Sequence, residues 1–112
     1  PFLLDACQSA GQIPLDVHEI GCDALTATGR KFIRGPRGTG FLWVRQSLLE
    51  TIHPITIDHD AATWTSPTTY ELKPDAARFE VWEKGWAGLL GLGAAIDDAL
   101  DWGIAPIRDR IV

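Results

Sequence analysis

The chain has 112 residues, enough for one small domain at most, with 46% hydrophobic and 22% charged residues, a globular composition. Its formal charge of −5 argues against a general binder of nucleic-acid backbones or anionic membranes, and no apolar run approaches the length of about 20 residues that a membrane helix needs. The ten basic residues are unevenly placed, with Arg30, Lys31, Arg34 and Arg37 close together, so a local anion site in an acidic protein is expected. Cys7 and Cys22 form no CxxC and no zinc spacing, and no metal site is expected. Both read as reduced, buried small hydrophobes of a cytoplasmic protein.

In chain order, the opening run Phe2-Leu3-Leu4 reads as a short buried strand already in progress and ending at Asp5, not as a signal peptide. Residues 6–12 read as a polar loop or single turn. Asp16 is an acceptable N-cap for a short helical turn over residues 17–22. Ala24 to Thr28 is small, apolar and β-compatible, a second buried strand. Residues 29–40 hold four glycines and a proline and exclude regular structure over their length. Phe41-Leu42-Trp43-Val44, stopped by Arg45, is the clearest strand.

Residues 54–76, with prolines at 54, 67 and 74, read as a long irregular connection. A helix is predicted from about Glu83 to Trp102, with Trp86, Leu89, Leu90, Gly93, Ile96 and Leu100 as its apolar stripe. Gly103 follows as its C′ residue and Pro106 is expected to block continuation. Gly85, Gly88, Gly91 and Gly93 point to a face that another backbone approaches closely. The organisation expected is strands and ligand loops over 1–53, the irregular connection over 54–76, and a helical segment over 77–112.

Two features carry chemistry: a carboxylate at one strand end and a basic, glycine-rich loop at the next. Ligands of open α/β sheets bind at the carboxyl ends of strands. Asp5 and Lys31 at such ends also read as a plain salt bridge, and the residues alone leave both readings open. Gly35-Pro36-Arg37-Gly38-Thr39-Gly40 lacks the Lys-Ser/Thr of a P-loop and leads into a strand, and no GxGxxG is present. A nucleic-acid patch has only Phe32 nearby for stacking, so no nucleic-acid partner is expected.

The runs Leu4-Asp5-Ala6-Cys7-Gln8-Ser9-Ala10-Gly11-Gln12, Gly21-Cys22-Asp23, Thr28-Gly29-Arg30-Lys31 and Gly35 through Arg45 resemble the central region of class V aminotransferases. The likeness continues in Arg78-Phe79-Glu80 and Gly91-Leu92-Gly93-Ala94-Ala95, so it covers nearly the whole chain. That family includes cysteine desulfurases and isopenicillin N epimerase-like proteins. The resemblance implies an α/β fold, part of the large domain of a pyridoxal-phosphate fold type I transferase, three-layer αβα with a mixed sheet. It also implies an internal fragment, because family members are several times longer, with residues 77–112 leading toward the small domain.

The function implied is a pyridoxal-phosphate-dependent transferase, epimerase or lyase acting on a small amino acid, in a homodimer. Lys31 matches the Schiff-base lysine and general acid–base. Asp5 matches the carboxylate on the pyridine nitrogen, and Gln8 the amide on the ring hydroxyl. Thr28 and Arg30 match positions that contact the phosphate. For Gln8 and Thr28 the alternative use is a loop-stabilising hydrogen bond; for Arg34 and Arg37 loop-closing salt bridges are expected.

Two departures bear on the narrower reading as a cysteine desulfurase or selenocysteine lyase. Arg30 stands where desulfurases usually have His, and Glu83 stands where their Arg-Phe-Glu motif continues to a phosphate-binding Thr. Neither Cys7 nor Cys22 matches the desulfurase nucleophile. A reading from another class is a catalytically dead scaffold that has kept the fold and lost the cofactor.

Overall fold

The computed structural model describes residues 1–112. The first two strands, β1 (Leu3–Asp5) and β2 (Ala24–Thr28), run parallel with Leu3 opposite Ala24, Leu4 opposite Leu25 and Asp5 opposite Thr26. A parallel pair needs a crossover, and residues 6–23 supply it. They form backbone-bonded turns after Ala6 and then α1 (Val17–Ile20). Asp16 caps α1 by accepting from the N–H groups of His18 at 2.7 Å and Glu19 at 3.2 Å, and Gly21 ends it at φ 72°.

The central strand β2 is flanked by β1 and by β3 (Gly40–Val44). The Gly29 N–H donates to the Thr39 carbonyl at 2.8 Å, and the Thr28 and Thr26 hydroxyls reach the carbonyls of Thr39 and Phe41. Partners on β3 retreat as β2 advances, so this pair is antiparallel and the sheet is mixed. As the central strand, β2 buries Ala24, Leu25 and Ala27. They join Ala6, Cys22, Ile33 and Leu92 in or beside the main core. Small side chains predominate there, which lets elements approach closely.

The chain divides into two compact units, Pro1–Trp43 with Gly85–Val112, and Val44–Lys84. In the first unit, α3 (Trp86–Trp102) starts from Gly85, two to three residues later than the sequence predicts. Its inward face also differs from the predicted stripe. Leu92 and Ala99 are buried, with Ala95 and Ile96 beside them, whereas Trp86, Leu90 and Leu100 are 68%, 76% and 63% exposed. Apolar residues surround much of the helix, so periodicity alone picks a face rotated from the buried one, the two sharing Ile96. The predicted approach of another backbone is not found at these glycines: a methyl on Gly91 would lie 2.7 Å from Pro36 Cγ and one on Gly88 3.2 Å from Thr39 Cγ2, both side-chain atoms, and Gly85 and Gly93 have nothing within 4 Å.

Gly103, at φ 83°, closes α3 by donating to the carbonyls of Ala99 and Leu100 at 3.1 Å. Contrary to expectation, a new helix, α4 (Ile104–Ile111), follows directly with Pro106 in its first turn. The missing N–H of a first-turn proline has no intrahelical partner to lose, so Pro106 is accommodated rather than blocking.

In the second unit, α2 (Gln46–Leu49) buries Leu49. The predicted irregular connection over 54–76 is corrected by an antiparallel hairpin, β4 (Ala62–Ser66) and β5 (Thr69–Leu72), with Trp64 opposite Tyr70 and a register shift between Trp64 and Ser66. Threonines and aromatics favour strands, and Pro67 lies in the two-residue turn where it breaks nothing. The Ser66 and Thr69 hydroxyls are 2.7 Å apart across it. A 3-10 turn (Ala76–Phe79) follows, capped by Asp75. Arg78 in it donates to the carbonyls of Lys73 at 2.7 Å and Leu49 at 2.8 Å, and so pins three segments of this unit.

Candidate functional site

The parallel pairing of β1 and β2 brings Asp5 and Thr28, their last residues, to the same edge of the sheet. This is the carboxyl edge, where open α/β sheets bind ligands. Lys31 follows in a turn over residues 29–35 that closes on itself. The Gly35 N–H donates to the Gly29 carbonyl at 2.8 Å, and the Arg34 N–H to the Lys31 carbonyl at 2.9 Å. Arg34 has φ 64°, the one positive value outside glycine. Its guanidinium pairs with Asp98 on α3 at 2.8 Å, the loop-closing use expected of it.

Asp5 is exposed, and its carboxylate accepts from the Cys7 N–H at 2.9 Å. Hydrogen bonding from the Cys7 thiol, then from this N–H, holds the Asp5 carboxyl below its ordinary value, against slight burial, and the field of the Lys31 ammonium acts the same way. The same contact with Asp5, helped by burial, pushes the Cys7 thiol up, while the Thr28 backbone and Lys31 pull it down. Cys7 therefore lies between the Asp5 carboxylate and the Thr28 backbone, with the Lys31 ammonium near enough for its field to act on both titrating groups.

The Thr28 hydroxyl donates to the Thr39 carbonyl at 3.3 Å, the loop-stabilising use. Gln8 is exposed in the turn after β1, where its carbonyl accepts from the Gln12 side-chain amide. Arg30 is exposed beside Lys31. No hydrogen bond or ion pair ties the side chains of Gln8 or Arg30 to the other three.

Two residues of the site escape the sequence reading. Cys7 is half-buried beside Asp5 rather than a fully buried hydrophobe; Cys22 does match that expectation at 0% exposure. Gly11 packs against the backbone of Phe32 and Ile33, joining the turn after Asp5 to the lysine turn. An Asp followed two residues later by a turn N–H is a local signal for the first; no local signal marks the second.

Chemically, the cluster offers an ionised carboxylate, a hydroxyl donor and a primary amine at one edge. That set can pair with a basic nitrogen, donate to an acceptor oxygen and add to an electrophilic carbon. No helix is long and apolar enough to cross a membrane.

Residues 1–111 match the family model described as aminotransferase class-V. A probable cysteine desulfurase of Methanothermobacter thermautotrophicus is 36% identical over 107 residues, which are 96% of this chain and 27% of that protein. The chain thus spans about a quarter of the length of the curated relatives it matches. The apo cysteine desulfurase from Thermococcus onnurineus NA1 superposes with a TM-score of 0.83 at 32% identity, over 93% of this chain and 26% of that one. A mutant of C-DES with glycine covalently linked to the PLP cofactor gives 0.75 at 31% identity, over 88% and 26%.

Proposed function

Since the chain belongs to the class V aminotransferase family, we propose that the protein it comes from is a pyridoxal-phosphate-dependent enzyme acting on a small amino acid through Lys31. Its fold is part of the large domain of the pyridoxal-phosphate fold type I. The observation that supports the reading is the Asp5 carboxylate at the carboxyl edge of parallel strands, held ionised, with the field of the Lys31 ammonium acting on it.

When bound, the cofactor supplies an electron sink for cleaving bonds at the substrate's α-carbon. A carboxylate that stays ionised, as Asp5 does, suits the task of keeping a proton on the ring nitrogen. The Gln8 amide would donate to the ring hydroxyl, turning its exposed side chain to that task. The Thr28 hydroxyl and Arg30 would bind the phosphate; Thr28 would exchange a backbone carbonyl for a charged acceptor, a stronger hydrogen bond. The Lys31 amine would hold the carbonyl carbon and, once displaced by substrate, move a proton on and off the α-carbon. A homodimer in a cytoplasmic setting belongs to the same reading.

A second reading, cysteine desulfurase, is favoured by the names of the relatives. Arg30 and Glu83 depart from that pattern, and neither thiol here suits the nucleophile. Cys22 is fully buried, and Asp5 pushes the Cys7 thiol up, away from the reactive thiolate. A desulfurase would need a further cysteine; formation of alanine from cysteine by the full-length protein, with the sulfur left as a persulfide that an added thiol reductant releases as sulfide, separates the two readings.

The test of the main reading is borohydride reduction of the full-length protein with pyridoxal phosphate. The cofactor's mass should be fixed on the peptide carrying Lys31, and Lys31→Ala should abolish it. No label at Lys31 sinks both enzyme readings and leaves a scaffold that has lost the cofactor.

A further inference from the structure

We propose that Leu92, on α3, is a positioning residue for Lys31, a claim that rests on the enzyme reading for its catalytic sense. Leu92 is 6% exposed and is one of two buried residues on α3. Its Cδ1 fills the place where side chains would stand at both ends of the lysine turn. A methyl on Gly29 would lie 2.7 Å from Leu92 Cδ1, and one on Gly35 3.0 Å from it. Gly29 and Gly35 are themselves joined by a 2.8 Å backbone hydrogen bond, with Lys31 in the loop between. One leucine branch therefore seats the closed base of the turn, and the glycines are what allow it that near.

Other contacts fix the turn from elsewhere. The Thr39 hydroxyl, donating to the Pro36 carbonyl at 2.7 Å, also occupies the space beside Gly29. Arg34 pairs with Asp98 at an exposed position, where an ion pair contributes little. The hold that α3 has on this turn is consequently packing, at Leu92 beneath its closed base and in the core that Leu92 shares with Ile33. Shortening the side chain removes atoms from beneath Gly29 and Gly35 together, and a turn with no seat samples more orientations of the Lys31 stem.

The experiment uses the full-length protein with Leu92→Ala, Leu92→Met and a control, Leu49→Ala, which removes an equally buried leucine from the other unit. Hydrogen exchange over residues 29–35 is measured without cofactor, each variant at the same interval below its melting point. The absorbance of cofactor held on Lys31 is then titrated against pH. Leu92→Ala should raise exchange of the turn at least about tenfold above Leu49→Ala, as local opening predicts, and should shift the absorbance midpoint. Leu92→Met should restore both. Equal exchange in Leu92→Ala and Leu49→Ala overturns the proposal, and so does raised exchange with an unmoved midpoint. If Leu92→Ala does not fold, Leu92→Val is read by the same criteria. A native protein that takes up no cofactor at Lys31 fails the enzyme reading and with it the catalytic sense of this one, whereas exchange still reports whether Leu92 orders the turn.

Discussion

Gly11 lies against the backbone of Phe32: a methyl there would sit 2.7 Å from the Phe32 carbonyl carbon and 2.8 Å from the Ile33 nitrogen. The turn that follows Asp5 and the turn that carries Lys31 are thus in backbone contact, far apart in sequence though they are. Gly21 is the natural control, since it too has positive φ but nothing within 4 Å of a built methyl. Gly21→Ala should cost about 1–2 kcal/mol for the left-handed backbone alone. Gly11→Ala should cost that plus roughly 1–3 kcal/mol of overpacking. Denaturant unfolding of the two variants checks the order; equal losses would mean that the contact relaxes freely.

Asp5 should titrate below its ordinary value of 3.8, because hydrogen bonds from Cys7 favour the ionised form. A depressed carboxylate contributes stability that is present above 3.8 and lost as pH falls through the lower folded value. Cys7→Ala removes the thiol while sparing the backbone N–H, and should move the Asp5 titration part of the way back up. Cys7→Ser, which keeps a donor, should hold it down. Carbon NMR of protein labelled at aspartate carboxyls reads both; an Asp5 titration unmoved by Cys7→Ala would remove the thiol from the site.

In the second unit, Asp60 accepts from Lys84 at 2.7 Å and Lys73 at 3.1 Å, and Lys84 also reaches Glu80 at 2.6 Å. Lys84, then Lys73, holds the Asp60 carboxyl low, and Asp60 with Glu80 pushes Lys84 up to about 12. The signs are opposite at the two ends of the pH scale. Asp60's contribution is complete above 3.8 and disappears as pH falls below it; Lys84's is complete below 10.5 and disappears as pH rises through about 12. Hydrogen exchange over residues 58–84, divided at each pH by its intrinsic rate, should therefore rise at both extremes in the native protein. With Asp60→Asn it should be raised already at pH 7 and respond less to acid.

The sequence is most legible where structure is locally encoded. Asp16 caps α1 as predicted, although Gly21 ends the helix at Ile20, short of the predicted Cys22, and β2 occupies the predicted span because its small apolar run has no competing pattern. The hairpin is missed because prolines and threonines are read as loop markers, although Pro67 sits at the one place between two strands where a proline is harmless. The inward face of α3 is missed for another reason. With Trp86, Leu90 and Leu100 outside and Leu92 and Ala99 inside, both faces satisfy helical periodicity, and only the partner surface decides. At the site, Asp5 and Lys31 are recognisable from motifs, whereas the contacts of Gly11 and Leu92 with the lysine turn arise from tertiary packing and leave no trace in residue type or spacing.

Arg34 holds φ 64° in the lysine turn, a conformation that costs a non-glycine residue about 1–2 kcal/mol. Its exposed pair with Asp98 returns only about 0–1 kcal/mol. Arg34→Gly relieves the backbone cost, loses the pair, and adds roughly 0.5–1 kcal/mol of unfolded-state freedom, terms that nearly cancel. Its melting temperature should therefore stay close to the native one, while Arg34→Ala, which keeps the awkward backbone and loses the pair, should melt lower. Foldability and local contact separate at this position. A change that a melting curve cannot see would still remove the Arg34–Asp98 ion pair between the segment bearing Lys31 and α3, so a stability screen alone would not register it.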